Sequence, residues 1–132
     1  VSIPIIANGD ITDADKALHV LDYTQADAIM IGRAAQGHPW IFNTILHRLN
    51  NDKNHTKPTI KQIQSLINNH LEHLYSFYGE ISGVRIARKH IGWYFDHLGS
   101  IPVARKKEIY QALNPSLQIS MVNSVFSDFD FT

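Results

Sequence analysis

Ile3-Pro4-Ile5-Ile6-Ala7-Asn8-Gly9-Asp10 decides the fold of this chain, together with its echo Ala28-Ile29-Met30-Ile31-Gly32-Arg33. Each is a short, β-branched apolar run that stops at a glycine turn. Runs without polar alternation suit strands buried on both faces of a parallel sheet. This places strands over residues 3–7 and 27–31. Between them, residues 12–24 read as a helix. Thr12 is the expected N-cap, Asp13 and Asp15 favour the positive end, and Ala14, Ala17, Leu18 and Leu21 recur at helical spacing. Strand, helix, strand in that order is one βαβ unit, the repeat of a (β/α)8 barrel.

Ligands of parallel α/β folds sit beyond the carboxyl ends of the strands. Asn8-Gly9-Asp10 and Gly32-Arg33 both fall there. The two glycines let backbone N–H groups approach an anion, and the helix after each points its positive end at the same spot. Arg33 adds a planar fork of donors suited to phosphate. Asn8 and Asp10 can orient the loop or hold ligand hydroxyls. Barrels of this kind grip phosphate with the loops after strands 7 and 8. The same turns also suit an ordinary connection, with Gly as a cap and Asp as a helix start.

Working outward, Ala34-Ala35-Gln36-Gly37 begins a short helix and breaks it. His38-Pro39 marks a fresh start, and Trp40, Ile41, Ile45, Leu46 and Leu49 then form an amphipathic helix to about Asn50. Residues 50–58 are polar and loop-like, a linker between domains at 1–52 and 53–132. No strand pattern follows. Thr59 caps a long helix that ends at Gly79, and a second runs over residues 82–98. Pro102 starts a third, and Ser116 caps a fourth beyond the Asn114-Pro115 break. Four helices on short loops fit an antiparallel bundle, so the expected fold class is α/β followed by all-α.

Bulk properties exclude more than they assign. The chain has 132 residues and a formal net charge of +0, so overall charge selects no partner. Its distribution is uneven: residues 1–50 carry three cations against five anions, and residues 81–110 six against two. The second segment fits a phosphate-rich partner or a solvated basic face. With no cysteine, a disulfide, a cysteine–zinc site and a thiol nucleophile are all impossible within this chain. Neither a signal peptide nor a membrane-spanning run is apparent, so a cytoplasmic protein is expected. The chain opens in a strand without methionine, and a lone βαβ piece leaves bare edges. It therefore reads as the C-terminal part of a longer protein whose missing portion supplies the earlier strands.

On the second helix, Arg85, Arg88 and Lys89 share a face with His90 beside them. With Trp93 and Tyr94 nearby they suit a nucleic-acid backbone and its bases, or a plain solvated face over a core tryptophan. Arg105, Lys106 and Lys107 form a second basic cluster. His70 and His73 have a spacing that can bind metal but lack a completing carboxylate, so no metal is assigned. His38 can reach the ligand mouth or simply start a helix. Trp40 and Phe42 can wall a pocket or fill a core. Neither paired carboxylates for acid–base work nor a Ser/His/Asp arrangement is apparent.

"IPIIANGDI" (3–11), "ADAIMIGRAAQGHPWIF" (26–42) and "RIARKHIGWY" (85–94) together resemble the C-terminal part of the bacterial tRNA-dihydrouridine synthases, B-type subgroup. The resemblance covers most of the chain and weakens after about Gly99. It implies the last two units of a (β/α)8 TIM barrel followed by a helical tRNA-recognition domain. It implies that NADPH recharges FMN, which reduces the C5–C6 bond of a uridine in tRNA while a cysteine acts as general acid. By position, Asn8, Gly9, Asp10, Gly32 and Arg33 match the family's FMN turns, and Arg85, Arg88, Lys89 and His90 become tRNA contacts. The cysteine has no counterpart, so this chain alone is expected to be inactive, and the full-length protein a monomer. The alternatives are another FMN-dependent barrel oxidoreductase, which gives no reason for the helical tail, or a stand-alone helical tRNA-binding module.

Overall fold

The computed structural model describes residues 2–131, and its contacts divide the chain into two units at Lys57/Pro58. In the first, β1 (Ile6–Asn8) and β2 (Ala28–Met30) pair in parallel, with Ile6 opposite Ala28 and Asn8 opposite Met30. α1 (Ala14–Thr24) connects them, and a single 3-10 turn (Arg33–Ala35) and α2 (Ile41–Leu49) follow. The βαβ unit is therefore present, with strands shorter than the apolar runs. Asp27 explains the late start. Its carboxylate accepts from the Ile5 N–H at 2.8 Å, where a ladder would use a main-chain oxygen.

The strands are not buried on both faces. Successive side chains of a strand point to opposite sides, and α1 and α2 cover only one of them. Ile29 and Ile31 pack there against a cluster of Ile11, Ala17, Ile41 and Ile45. On the other side Ile6 and Met30 are 64% and 46% exposed, and no described residue covers them.

Two helix starts also differ from expectation. Asp13, at extended φ and ψ, accepts from the Lys16 N–H at 2.8 Å and is the cap of α1. Thr12 instead donates its hydroxyl to the Asp13 carboxylate. Pro39 lies in the turn ahead of α2, whose flanking residue is Trp40.

The second unit is all-helical: α3 (Ile60–Tyr78), α4 (Glu80–Leu98), α5 (Val103–Gln111) and α6 (Pro115–Asp128). Thr59 and Gln62 close a reciprocal capping box at the start of α3. Asn114, not Ser116, caps α6, because its side chain accepts from the Leu117 N–H at 2.9 Å and leaves Pro115 at the first helical position. Ile67, Leu71, Val84, Ile91, Phe95, Ile109, Val122 and Val125 form the core. One polar residue sits among them. Gln118 accepts from the Tyr75 hydroxyl at 2.7 Å and donates to the Val84 carbonyl at 3.1 Å, tying α6 to α3 and α4.

α3 and α4 are joined by Gly79 alone and press closest at Gly83. A Cβ there would stand 2.8 Å from the Tyr75 Cα and 2.9 Å from the Leu74 oxygen, both backbone atoms. At Gly92 the obstacle is the Tyr110 hydroxyl, the far end of a side chain that can swing. Gly83→Ala therefore destabilises this unit by about 1–3 kcal/mol, despite alanine's better helix propensity. Gly92→Ala costs less, and thermal unfolding of the two variants compares them directly. In the same assay Tyr75→Phe, which strands the Gln118 oxygen, lowers stability by about 1–3 kcal/mol.

Candidate functional site

Parallel pairing of β1 with β2 sets the two following turns side by side. They line an open cavity of about 670 Å³, bounded by Asn8, Gly9, Asp10, Ile11, Thr12, Met30, Gly32, Arg33 and Ala34. All five residues singled out at these turns are thus brought together. Gly9 has φ 154° and Asp10 φ 42°, two successive positive values that fold the chain back on itself directly after the strand. A non-glycine residue with positive φ is uncommon, although aspartate tolerates it better than most. Nothing lies within 4 Å of where a Cβ would stand at Gly9 or Gly32, so main chain meets open space at both turns.

Arg33 and Asp10 are the charged residues of this lining. Arg33 Nη2 lies 2.5 Å from Asp10 Oδ1 across the two turns, and both side chains are more than three-quarters exposed. A surface pair of this kind adds little to stability. Its value is geometric, because one guanidinium edge is held while the other donors stay available. A cavity with glycine backbone, a guanidinium, an amide, a carboxylate and the Thr12 hydroxyl can hold a phosphate next to hydroxyl groups.

The helix-dipole part of the expectation does not hold after Gly32. After Gly32 comes a single 3-10 turn, and α2 begins only at Ile41, so no α-helix N-terminus follows that glycine directly. Trp40, Phe42 and His38 are not among the residues lining the cavity. Ile11, Thr12 and Met30 were missed by sequence reasoning. Their signal is position, since each flanks a strand end.

In the helical unit, Arg85, Arg88, Lys89 and His90 all lie on α4, but they are not equivalent. Arg85 and Lys89 are exposed, and the Lys89 ammonium sits 5.7 Å from the Trp93 ring centroid. Arg88 is half-buried, and its Nε has no hydrogen-bond partner among the described residues. His90 is also half-buried, edge-on to Trp93 at 5.2 Å and to His70 of α3 at 4.8 Å. His70 Nδ1 is 2.9 Å from the Tyr94 hydroxyl. The second basic cluster is largely neutralised. Arg105 pairs with Glu108 within α5 and with Asp128 of α6, and Lys106 with Asp96 of α4 at 2.5 Å, the last two tying α5 to its neighbours. No group of three metal-ligating side chains occurs among the described residues, and none of their helices is long and apolar enough to cross a membrane.

Two glycine-ended turns at the carboxyl edge of a parallel βαβ unit, with one arginine reaching across, define an α/β protein with an anion-suited cavity. The chain belongs to the dihydrouridine synthase (Dus) family, whose model matches residues 1–122 and so runs through both units. The tRNA-dihydrouridine synthase B of Proteus vulgaris is 46% identical over 130 residues, 98% of this chain and 40% of that protein. The enzymes of the same name from Vibrio vulnificus (strain CMCP6) and Yersinia pestis are 55% and 56% identical over 94 residues, in each case 71% of this chain and 29% of the relative. The chain thus spans well under half the length of these relatives.

Burial pulls the His70 and His90 rings below their ordinary pKa of 6.5. His90 and His73 lower His70 further, and Lys89 does the same for His90. Both rings are neutral at pH 7 in the fold, whereas an unfolded chain protonates them as pH falls through 6.5. The stability they contribute is present above that pH and lost as pH falls through the depressed folded values. Thermal melts therefore show the helical unit weakening as pH falls below the ordinary histidine value of 6.5. The double variant His70→Gln/His90→Gln reduces that slope, leaving the part due to His97, which burial also holds down.

Proposed function

We infer that this chain is the part of a B-type tRNA-dihydrouridine synthase that carries the last two β/α units of its TIM barrel and the helical tRNA-recognition domain. The reading rests chiefly on the convergence of Asn8, Gly9, Asp10, Gly32 and Arg33 around one cavity in a chain of this family. The residues suit the phosphate end of FMN. Open glycine backbone gives an anion close approach, and Arg33 supplies a charge-assisted fork. Bound there and reduced by NADPH, the flavin would supply hydride to one carbon of the uridine C5–C6 bond, with a proton from a general acid going to the other. This chain's residues hold and orient the cofactor's polar end. It contains no cysteine to serve as the general acid, so the chemistry needs residues that it lacks. The full-length protein acts as a monomer in the cytoplasm on tRNA, whose backbone meets exposed Arg85 and Lys89, with Arg88 and His90 beside them.

Two measurements test this. In the full-length protein, Arg33→Ala weakens FMN about 10–100-fold by flavin-fluorescence titration while leaving riboflavin, which has no phosphate, unchanged. Equal affinity of wild type and Arg33→Ala for FMN sinks the cofactor assignment. For the RNA surface, Arg85→Ala lowers affinity for tRNA and flattens the plot of log K against log salt by roughly 0.7–0.9, the loss of about one phosphate contact. An unchanged slope moves the interface off α4.

A further inference from the structure

The pairing of Asp10 with Arg33 is hard to understand if both are simple ligands. A carboxylate 2.5 Å from the cavity's one cation neutralises it, and should weaken the grip on a phosphate dianion. Yet the main chain is bent to put that carboxylate there. Asp10 stands at φ 42°, directly after Gly9 at φ 154°, a conformation that a side-chain-bearing residue adopts at some cost. An exposed ion pair does not repay such a cost in stability, since both side chains are more than three-quarters solvent-accessible.

The contact geometry resolves the conflict. Asp10 takes one nitrogen of the guanidinium, Nη2, and leaves the donors on Nη1 and Nε unclaimed by it. Arginine's long side chain loses much rotamer freedom when a ligand fixes it. A partner that already holds one edge removes part of that cost before the ligand arrives.

We propose that Asp10 is a positioning residue for Arg33: its carboxylate, reached through the paired positive-φ turn Gly9-Asp10, fixes the guanidinium at the cavity mouth so that its remaining donors meet a phosphate monoester. This rests on the flavin-phosphate reading above, and it makes a counter-intuitive claim. Removing a negative charge from the cavity weakens anion binding.

Asp10→Gly is the sharpest variant, because glycine accepts φ 42° without strain and only the carboxylate is lost. In the full-length protein, fluorescence titration of Asp10→Gly is expected to show FMN bound about tenfold more weakly, with riboflavin affinity unchanged. Asp10→Asn keeps an oxygen that accepts from Nη2 and restores most of the loss. Tighter FMN binding by Asp10→Gly would show that Asp10 competes with the phosphate and overturn the proposal. Equal loss for FMN and riboflavin, or no rescue by Asp10→Asn, overturns it too, since the effect then does not pass through Arg33 and the phosphate. The double variant Asp10→Gly/Arg33→Ala is expected to bind FMN no more weakly than Arg33→Ala alone, and additive losses count against the proposal. If Arg33→Ala itself leaves FMN unaffected, the flavin reading fails first, which separates that failure from failure of the positioning role.

Discussion

Three residue pairs of parallel backbone, from Ile6 opposite Ala28 to Asn8 opposite Met30, carry the architecture of the first unit. Parallel strands end on the same side, so the turns after them are neighbours, although the chain between them is a whole helix long. Asp10 and Arg33, 23 residues apart in sequence, meet for that reason alone. The covered side of the strands feeds a small cluster around Ile11, Ala17, Ile41 and Ile45, which holds α1 and α2 against them. The other side keeps Ile6 and Met30 in solvent, apolar surface of the kind a barrel interior buries.

The helical unit answers a different constraint. Its long α3 and α4 turn back through a single residue, and at Gly83 the two backbones approach too closely for a side chain. The buried amide of Gln118 then links three helices, with both ends of its side chain bonded. A satisfied polar group in an apolar core adds register, because any shift of α6 would leave it unpaired. On the outer side of the same pair, Lys89, Trp93, His90 and His70 form a run of edge and cation contacts that joins the basic stretch of α4 to α3.

These features explain why the reading of residues succeeded in some places and failed in others. Glycine turns after apolar runs, a cap at Thr59 and a run of helical periodicities are local signals, and each is legible in the sequence. Asp13, next to Thr12, and Asn114, two residues before Ser116, are the caps because their side chains accept from the first turn at extended backbone. The side of the strands that carries Ile6 and Met30 is left uncovered by the described residues, because cover depends on neighbouring elements and not on the β-branched composition of the strand itself. Basic residues in a row differ in their surroundings, which sequence does not give: Arg105 and Lys106 are engaged by carboxylates of α6 and α4, and Arg88 is half-buried beside exposed Arg85.

Sequence by itself determined the order of elements, the glycine turns, the absence of any thiol and the family, because these follow from residue type and short-range spacing. Tertiary structure alone decided which charges pair and which stay open. It put Asp10 on Arg33 and left Arg85 to solvent, and it pulled two histidines below their ordinary pKa. Coulombic and desolvation effects depend on distances and burial between residues far apart in the chain, and no local pattern encodes them.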